Sequence, residues 1–179
     1  MSRKRQLLNR LRIMDGARDL LDCGPYSDLT VEALARHLHM SKSTLYKYYR
    51  DKDDLIVTLV ADSCGETEAE LADMSSLLDH GDPVDALTQL LSIYDGHARR
   101  MPTAVMQEQR KLPRHARQRL TDVRKTLESR ITEVAERGVA QGRLRSGSVD
   151  LVRTVLVAGA AAAVSNDNVA ASDLLPLFV

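Results

Sequence analysis

Residues 30–55 constrain the 179-residue chain more than any other stretch. They read as two short helices with a polar break between them, followed by the start of a third. Thr30 suits the N-cap of the first helix, 31–37, with Ala33 as its third residue. Leu38-His39-Met40 forms the turn, and Ser41 caps the second helix, 42–48. Two helices that cross this closely need a small residue at the crossing, which Ala35 supplies. Four residues later the turn needs a residue tolerant of positive φ. Glycine is the usual choice; His39 stands here, one of the non-glycine types enriched in that region, at a cost of about 1 kcal/mol relative to glycine. Leu45 and Tyr49, four apart, point back at the first helix.

With Leu45 and Tyr49 inward, the other face of 42–48 presents Lys42, Ser43, Thr44, Tyr46, Lys47 and Tyr48. The lysines can reach guanine edges or phosphates, and Ser43 and Thr44 can read base edges or bond a phosphate. The phenols of Tyr46 and Tyr48 can bond phosphate oxygens. The N-termini of these two helices, and of the one that starts after Asp51, offer backbone N–H groups to the same anions. The basic start Ser2-Arg3-Lys4-Arg5 is expected to lie along a DNA backbone or in a minor groove.

Strand signals are nearly absent elsewhere, so the chain reads all-α. The first helix spans about 3–22, with a stripe of Leu7, Leu11, Met14, Ala17, Leu20 and Leu21, and ends at Cys23-Gly24-Pro25. A connecting helix starts after Asp51 and runs to about Met74. Residues 75–83 read as a break. Helices follow at about 83–99, 102–110 and 113–140, the last opened by Pro113 and closed near Gly138, Gly142 and Gly147. Further helices are expected at 149–165 and from about Asn168. The domain division that results is a DNA-binding head at 1–50, a connector at 51–74 and an effector-binding and dimerisation body at 75–179.

The chain is neutral overall, with 25 Lys/Arg and 25 Asp/Glu, but the charges come in blocks. Residues 1–50 carry ten basic against five acidic side chains, and 51–98 carry one against twelve; 99–130 then carry ten against three. A basic head on a neutral chain points to a local polyanion site. The acidic and basic stretches of the body either face each other, or leave His97, Arg99, Arg100 or Arg110 to receive an anionic effector, or form solvated faces. Both cysteines, Cys23 and Cys64, read as small buried hydrophobes. Arg10 and Arg12 interrupt the apolar run that a signal peptide would need, and the run Val155–Val164 is too short to span a bilayer. A soluble cytoplasmic protein without membrane contact is expected. Enzyme chemistry lacks its parts: no Gly-rich phosphate loop, no His-Glu-x-x-His and no Cys-x-x-Cys are found, and no cofactor or metal is implied.

Ser-Lys-Ser-Thr-Leu-Tyr-Lys-Tyr-Tyr-Arg-Asp-Lys-Asp-Asp-Leu, 41–55, resembles the signature of TetR-like bacterial transcriptional regulators. The frame before it does too: an Ala-containing first helix ending near Gly24, Leu29-Thr30-Val31, and Ala33-Leu34-Ala35. The resemblance covers about 13–55, and the body is similar in architecture only. It implies a dimeric repressor on a palindromic double-stranded DNA operator, with Lys42, Ser43, Thr44, Lys47 and Tyr48 facing bases and Thr30, Ser41, Tyr46 and Lys52 holding phosphates. Two positions depart from the family pattern, the turn residue His39 and Ser43 before Thr44. The alternative function is a non-specific architectural DNA-binding protein without an effector; an interaction module with an incidentally basic head is a third.

Of the six aromatics only Tyr94 and Phe178 fall in the body, so an aromatic box for a planar cation is disfavoured. Expected pocket residues are Leu59, Leu90, Tyr94, Met101, Val105, Met106, Leu127, Ile131 and Leu156, with simple core packing as the alternative for each. The effector is expected to be small and apolar or anionic. The Ala- and Gly-rich run 155–164 suits either a homodimer interface through about 149–179 or close packing within one chain.

Overall fold

The computed structural model of the chain describes residues 3–150 and Thr154. Its described residues are helical with short connections: α1 (Arg3–Cys23), α2 (Val31–His37), α3 (Lys42–Leu45), α4 (Lys52–Asp73), α5 (Ser75–His80), α6 (Pro83–Arg100), α7 (Thr103–Gln107) and α8 (Arg114–Ala140). A further helical stretch begins at 148. The helices expected at 149–165 and from Asn168 lie outside the described residues, apart from this beginning, and so does the interface expected at 149–179. None of the described helices is long and apolar enough to cross a membrane.

The chain divides into two compact units. The first contains residues 1–62 and 101–118, the second residues 63–100 and 119–179. In the first unit α1 buries Ile13, Met14, Ala17 and Leu21 against a core that includes Leu34, Leu38, Leu45, Leu55 and Ile56. The short α7 is tied into this unit through its start, where the first N–H groups of a helix are orphan donors. Asp22 accepts one of them, from Thr103 N at 2.9 Å. The Tyr26 N–H, in turn, donates to Glu108 Oε1 at 2.8 Å.

In the second unit, α6 buries Ala86, Leu87, Leu90, Leu91 and Tyr94 while α8 buries Val123, Leu127, Ile131 and Val134. The expected facing of acidic and basic stretches appears here as ion pairs. Arg100 grips Glu70 through both terminal nitrogens, Nη1 at 2.9 Å, and Arg119 pairs with Glu68. Arg143 Nε donates to Asp82 at 3.0 Å. α8 stops in a Schellman turn: Gly142 N donates to Val139 O and Arg143 N to Gly138 O, with Gly142 at φ 66.

Several details differ from the sequence reading. Leu7 and Leu11 are 59% and 52% exposed, because the described chain places no apolar partner over the first turns of α1. Cys23 is exposed at the end of its helix, whereas Cys64 is buried and its thiol is pushed up to about 11 by that burial. The break expected at 75–83 is mostly helix α5. Its C-terminal carbonyls find a donor that no local pattern reveals: the Arg137 guanidinium bonds Leu78 O, Asp79 O and Gly81 O. The helix expected at 102–110 ends at Gln107 and resumes as a 3-10 turn, Gln109–Lys111. The one expected at 42–48 is α-helical for four residues only, and bonds of the tighter i to i+3 type carry Lys47 and Tyr48.

His97 is buried on α6. The Thr67 hydroxyl lies 3.2 Å from Ser63 O and 2.9 Å from His97 Nδ1, so the imidazole is held by a hydrogen bond inside the core. Burial, and secondarily the Arg100 charge, lower the His97 pKa from 6.5 to about 4. The unfolded chain therefore takes up a proton first as pH falls. Stability is full above about pH 6.5 and declines through the window from 6.5 to 4, by up to roughly 3 kcal/mol. Urea melts at pH 7.5 and 5.0 should show this loss for the unaltered protein, and a clearly smaller one for His97→Gln.

Candidate nucleic-acid interface

Three caps position the candidate surface. Thr30 Oγ1 accepts from Ala33 N at 3.0 Å, Ser41 Oγ from Thr44 N at 3.2 Å, and Asp51 Oδ1 from Asp54 N at 2.8 Å. Each cap serves an N-terminus that would otherwise leave N–H groups unpaired. Between α2 and α3 the chain reverses at His39, whose φ is 52. Met40 N then donates back to Ala35 O at 2.9 Å. Ala35, Leu45 and Tyr49 are buried, as the crossing requires.

The opposite face is open. Ser41, Lys42, Ser43, Tyr46 and Lys47 are exposed, and Thr44 and Tyr48 are half-buried. Ser41 Oγ lies 2.9 Å from Ser43 Oγ and 2.8 Å from Thr44 Oγ1, so the three hydroxyls form one chain of donors and acceptors. Lys42 pairs with Glu32, and the bond it donates holds that carboxyl below the usual range. The pair is exposed on both sides, so it is weak and a phosphate can compete for the ammonium. Arg3, Lys4 and Arg5 are also exposed, but they already belong to α1 and so ride on a helix rather than on an extended arm. Ser2 lies outside the described residues.

Lys52 has a different position from the other expected phosphate ligands. Its ammonium donates to Tyr26 O and lies 3.7 Å from the centre of the Tyr26 ring. Burial lowers its pKa. The lysine thus ties the start of α4 to the 3-10 turn Tyr26–Asp28. Residues that the sequence reading passed over also converge here. Asn9, Arg10 and Arg12, all on α1, contact Tyr48, the Tyr49 ring and Leu38 O respectively. Their signal in the sequence was the helical spacing of Asn9 and Arg12 with Gly16.

The residues expected to line an effector pocket separate between the two units. Leu59, Met101 and Val105 are buried in the first and Met106 is half-buried there. Leu90, Tyr94, Leu127 and Ile131 are buried in the second. Leu156 lies outside the described residues. Of the four groups expected to receive an anion, His97 is neutral and hydrogen-bonded to Thr67 and Arg100 is engaged by Glu70, while Arg99 and Arg110 are not buried. The second unit also has a cleft of about 250 Å³ lined by Leu78, Asp79, Arg130, Glu133, Val134 and Arg137, none of which was expected.

These elements define an all-helical protein whose amino-terminal unit carries a helix-turn-helix of the kind that enters a DNA groove. Residues 13–59 match the model of the family described as bacterial regulatory proteins, tetR family. The match covers the segment in which the sequence resemblance was found. No curated protein matches the chain. Among solved structures, the TetR-family regulator PfmR from Thermus thermophilus is similar over 92% of this chain and 93% of its own, with 22% identity and TM-score 0.70. A TetR-family regulator from Agrobacterium tumefaciens is similar over 97% and 99%, with 20% identity and TM-score 0.72. FadR from Bacillus subtilis, solved in complex with stearoyl-CoA, is similar over 93% and 94%, with 17% identity and TM-score 0.64. These likenesses establish the fold.

The left-handed turn makes a direct prediction. His39→Val places a β-branched residue at positive φ and should cost about 1–3 kcal/mol, whereas His39→Gly should not destabilise. Thermal melts of the two variants check this.

Proposed function

We propose that this protein is a ligand-responsive repressor that binds a palindromic operator as a homodimer in the cytoplasm. The observation that carries the reading is the exposed face of α3 and its flanking turns. Lys42, Ser43, Thr44 and Lys47 stand together there on a frame held from behind by Leu45 and Tyr49. Lysines and hydroxyls at that spacing supply donors for base edges in a major groove. Thr30, Ser41 and Tyr46 supply hydroxyls for phosphates, and Arg3, Lys4 and Arg5 add cations on α1. Lys52 keeps its place beside this surface while holding Tyr26. Dimerisation through 149–179 would put two such heads on two half-sites about one helical turn apart, or a multiple of it.

We infer an effector that is apolar or anionic, or both. The aliphatic character of Leu90, Leu127 and Ile131, with Tyr94 as the only phenol among them, supports an apolar moiety. The stearoyl-CoA bound by the Bacillus subtilis FadR, whose fold is similar, is a ligand of that kind. Transcription control without catalysis is consistent with the family matched by the head.

A duplex selected from a random pool tests the reading. The protein should prefer it over random duplex by ~10³ or more at fixed salt, and the selected sequence should be an inverted repeat. Equal affinities would favour the non-specific architectural alternative. Light scattering should give twice the monomer mass; a monomer at micromolar concentration would remove the palindrome. Thr44→Ala and Lys47→Ala should each weaken binding to the selected duplex by roughly 1–3 kcal/mol. Unchanged binding by both would refute the assignment of base contacts to α3.

A further inference from the structure

The segment that matches the family begins at residue 13. The three turns of α1 before it nevertheless make three side-chain contacts to the helix-turn-helix. We propose that Asn9 and Arg12 are positioning residues for DNA recognition: together they brace α3 from outside, and operator preference depends on them. The proposal rests on the reading of the head as an operator-binding unit.

Arg5, Asn9, Arg12 and Gly16 follow one another at steps of four, three and four, so they share one face of α1. Gly16 brings that face close to the turn. A Cβ there would lie 2.6 Å from Leu38 Cδ2 and 3.3 Å from His37 Cδ2. One turn earlier, Arg12 Nη2 donates to Leu38 O at 2.8 Å. Leu38 closes α2 and precedes His39, and its carbonyl is one of those that a helix end leaves without an internal donor. A guanidinium is a strong donor for such an acceptor. It secures the peptide next to the left-handed residue on which the direction of α3 depends.

A further turn back, Asn9 Nδ2 donates to the Tyr48 hydroxyl at 2.8 Å. This bond supports the end of α3 that supports itself least, because only Lys42–Leu45 are α-helical and Lys47 and Tyr48 are held by the tighter i to i+3 bonds. Leu45 and Tyr49 anchor the inner side of the element, and Arg10 lies 5.7 Å from the Tyr49 ring centre. Asn9 fixes the outer side. A phenol that accepts from Asn9 keeps its own proton to donate. Tyr48 is thereby presented as a donor to a phosphate oxygen rather than as a reader of bases. Arg5, exposed and one turn before Asn9 on the same face, supplies a cation on the same side. The first turns of α1 therefore belong to the reading device, although they need not touch a base.

A double-mutant cycle tests the brace, with the selected duplex at one fixed salt concentration and melting curves recorded alongside. Asn9→Ala should weaken operator binding about fivefold, the effect of one hydrogen bond. Tyr48→Phe should weaken it comparably. The two together should cost little more than either alone, because both changes remove the same oriented hydroxyl. Additive losses would overturn the Asn9 role, as would losses that follow a fall in melting temperature. For Arg12, the ratio of operator to random-duplex affinity is read for Arg12→Met and Arg12→Lys. Methionine should lower the ratio about fivefold and lysine should restore most of it. Equal ratios for the two variants would overturn the Arg12 role. If the unaltered protein shows no operator preference, the proposed function itself fails; if it does and the cycle is additive, only the brace fails.

Discussion

The backbone of His39 lies at φ 52, and the position of α3 depends on the reversal that this conformation allows. α2 has seven residues and α3 four, far too few to persist as isolated helices. They hold because the reversal returns Leu45 and Tyr49 to the side where Leu34 and Ile13 are already buried. The bond from Met40 N to Ala35 O closes the turn from inside, and Arg12 holds Leu38 O from the α1 side. Once those inner positions are occupied, the helical repeat leaves Lys42, Ser43, Tyr46 and Lys47 no choice but to face outward. The exposed face of α3 is thus a geometric consequence of how the opposite surface packs.

Charge is used in two ways along the chain. In the second unit Arg100, Arg119 and Arg143 are matched by Glu70, Glu68 and Asp82, so cations of the carboxy-terminal half and the acidic block before them have local structural work. In the head Arg3, Lys4, Arg5 and Lys47 stand exposed. A net charge of zero conceals this difference. His97 fits the same pattern. It is kept neutral because it is buried beside Arg100, and it shares a hydrogen bond with the Thr67 hydroxyl.

Much of the head was legible in the sequence because its rules are local. The caps Thr30, Ser41 and Asp51 have the side-chain oxygens that N-termini need, and Ala35, His39, Leu45 and Tyr49 have the sizes and conformational tolerance that the crossing needs. The sequence was less informative where a neighbour distant along the chain decides. The run Ser75–His80 carries no strong helix signal, and its last carbonyls are met by Arg137, nearly sixty residues on. Glu108 leaves its helix where its side chain meets Tyr26 N. Leu7 and Leu11 have the spacing of a buried stripe but no partner among the described residues.

The sequence by itself determined the helical class, the helix-turn-helix and the residue types on the exposed face of α3, because periodicity, capping and turn tolerance are properties of neighbouring residues. Only the tertiary structure decided which of those side chains are already engaged. Lys52 has the charge of a phosphate ligand, but its ammonium is held by Tyr26. Asn9 and Arg12 look like solvated positions of α1 until α1 is laid against the turn at Gly16. The physical reason is the same in each case: a hydrogen bond or cation–π contact depends on the distance between atoms tens of residues apart, and no local pattern encodes that distance.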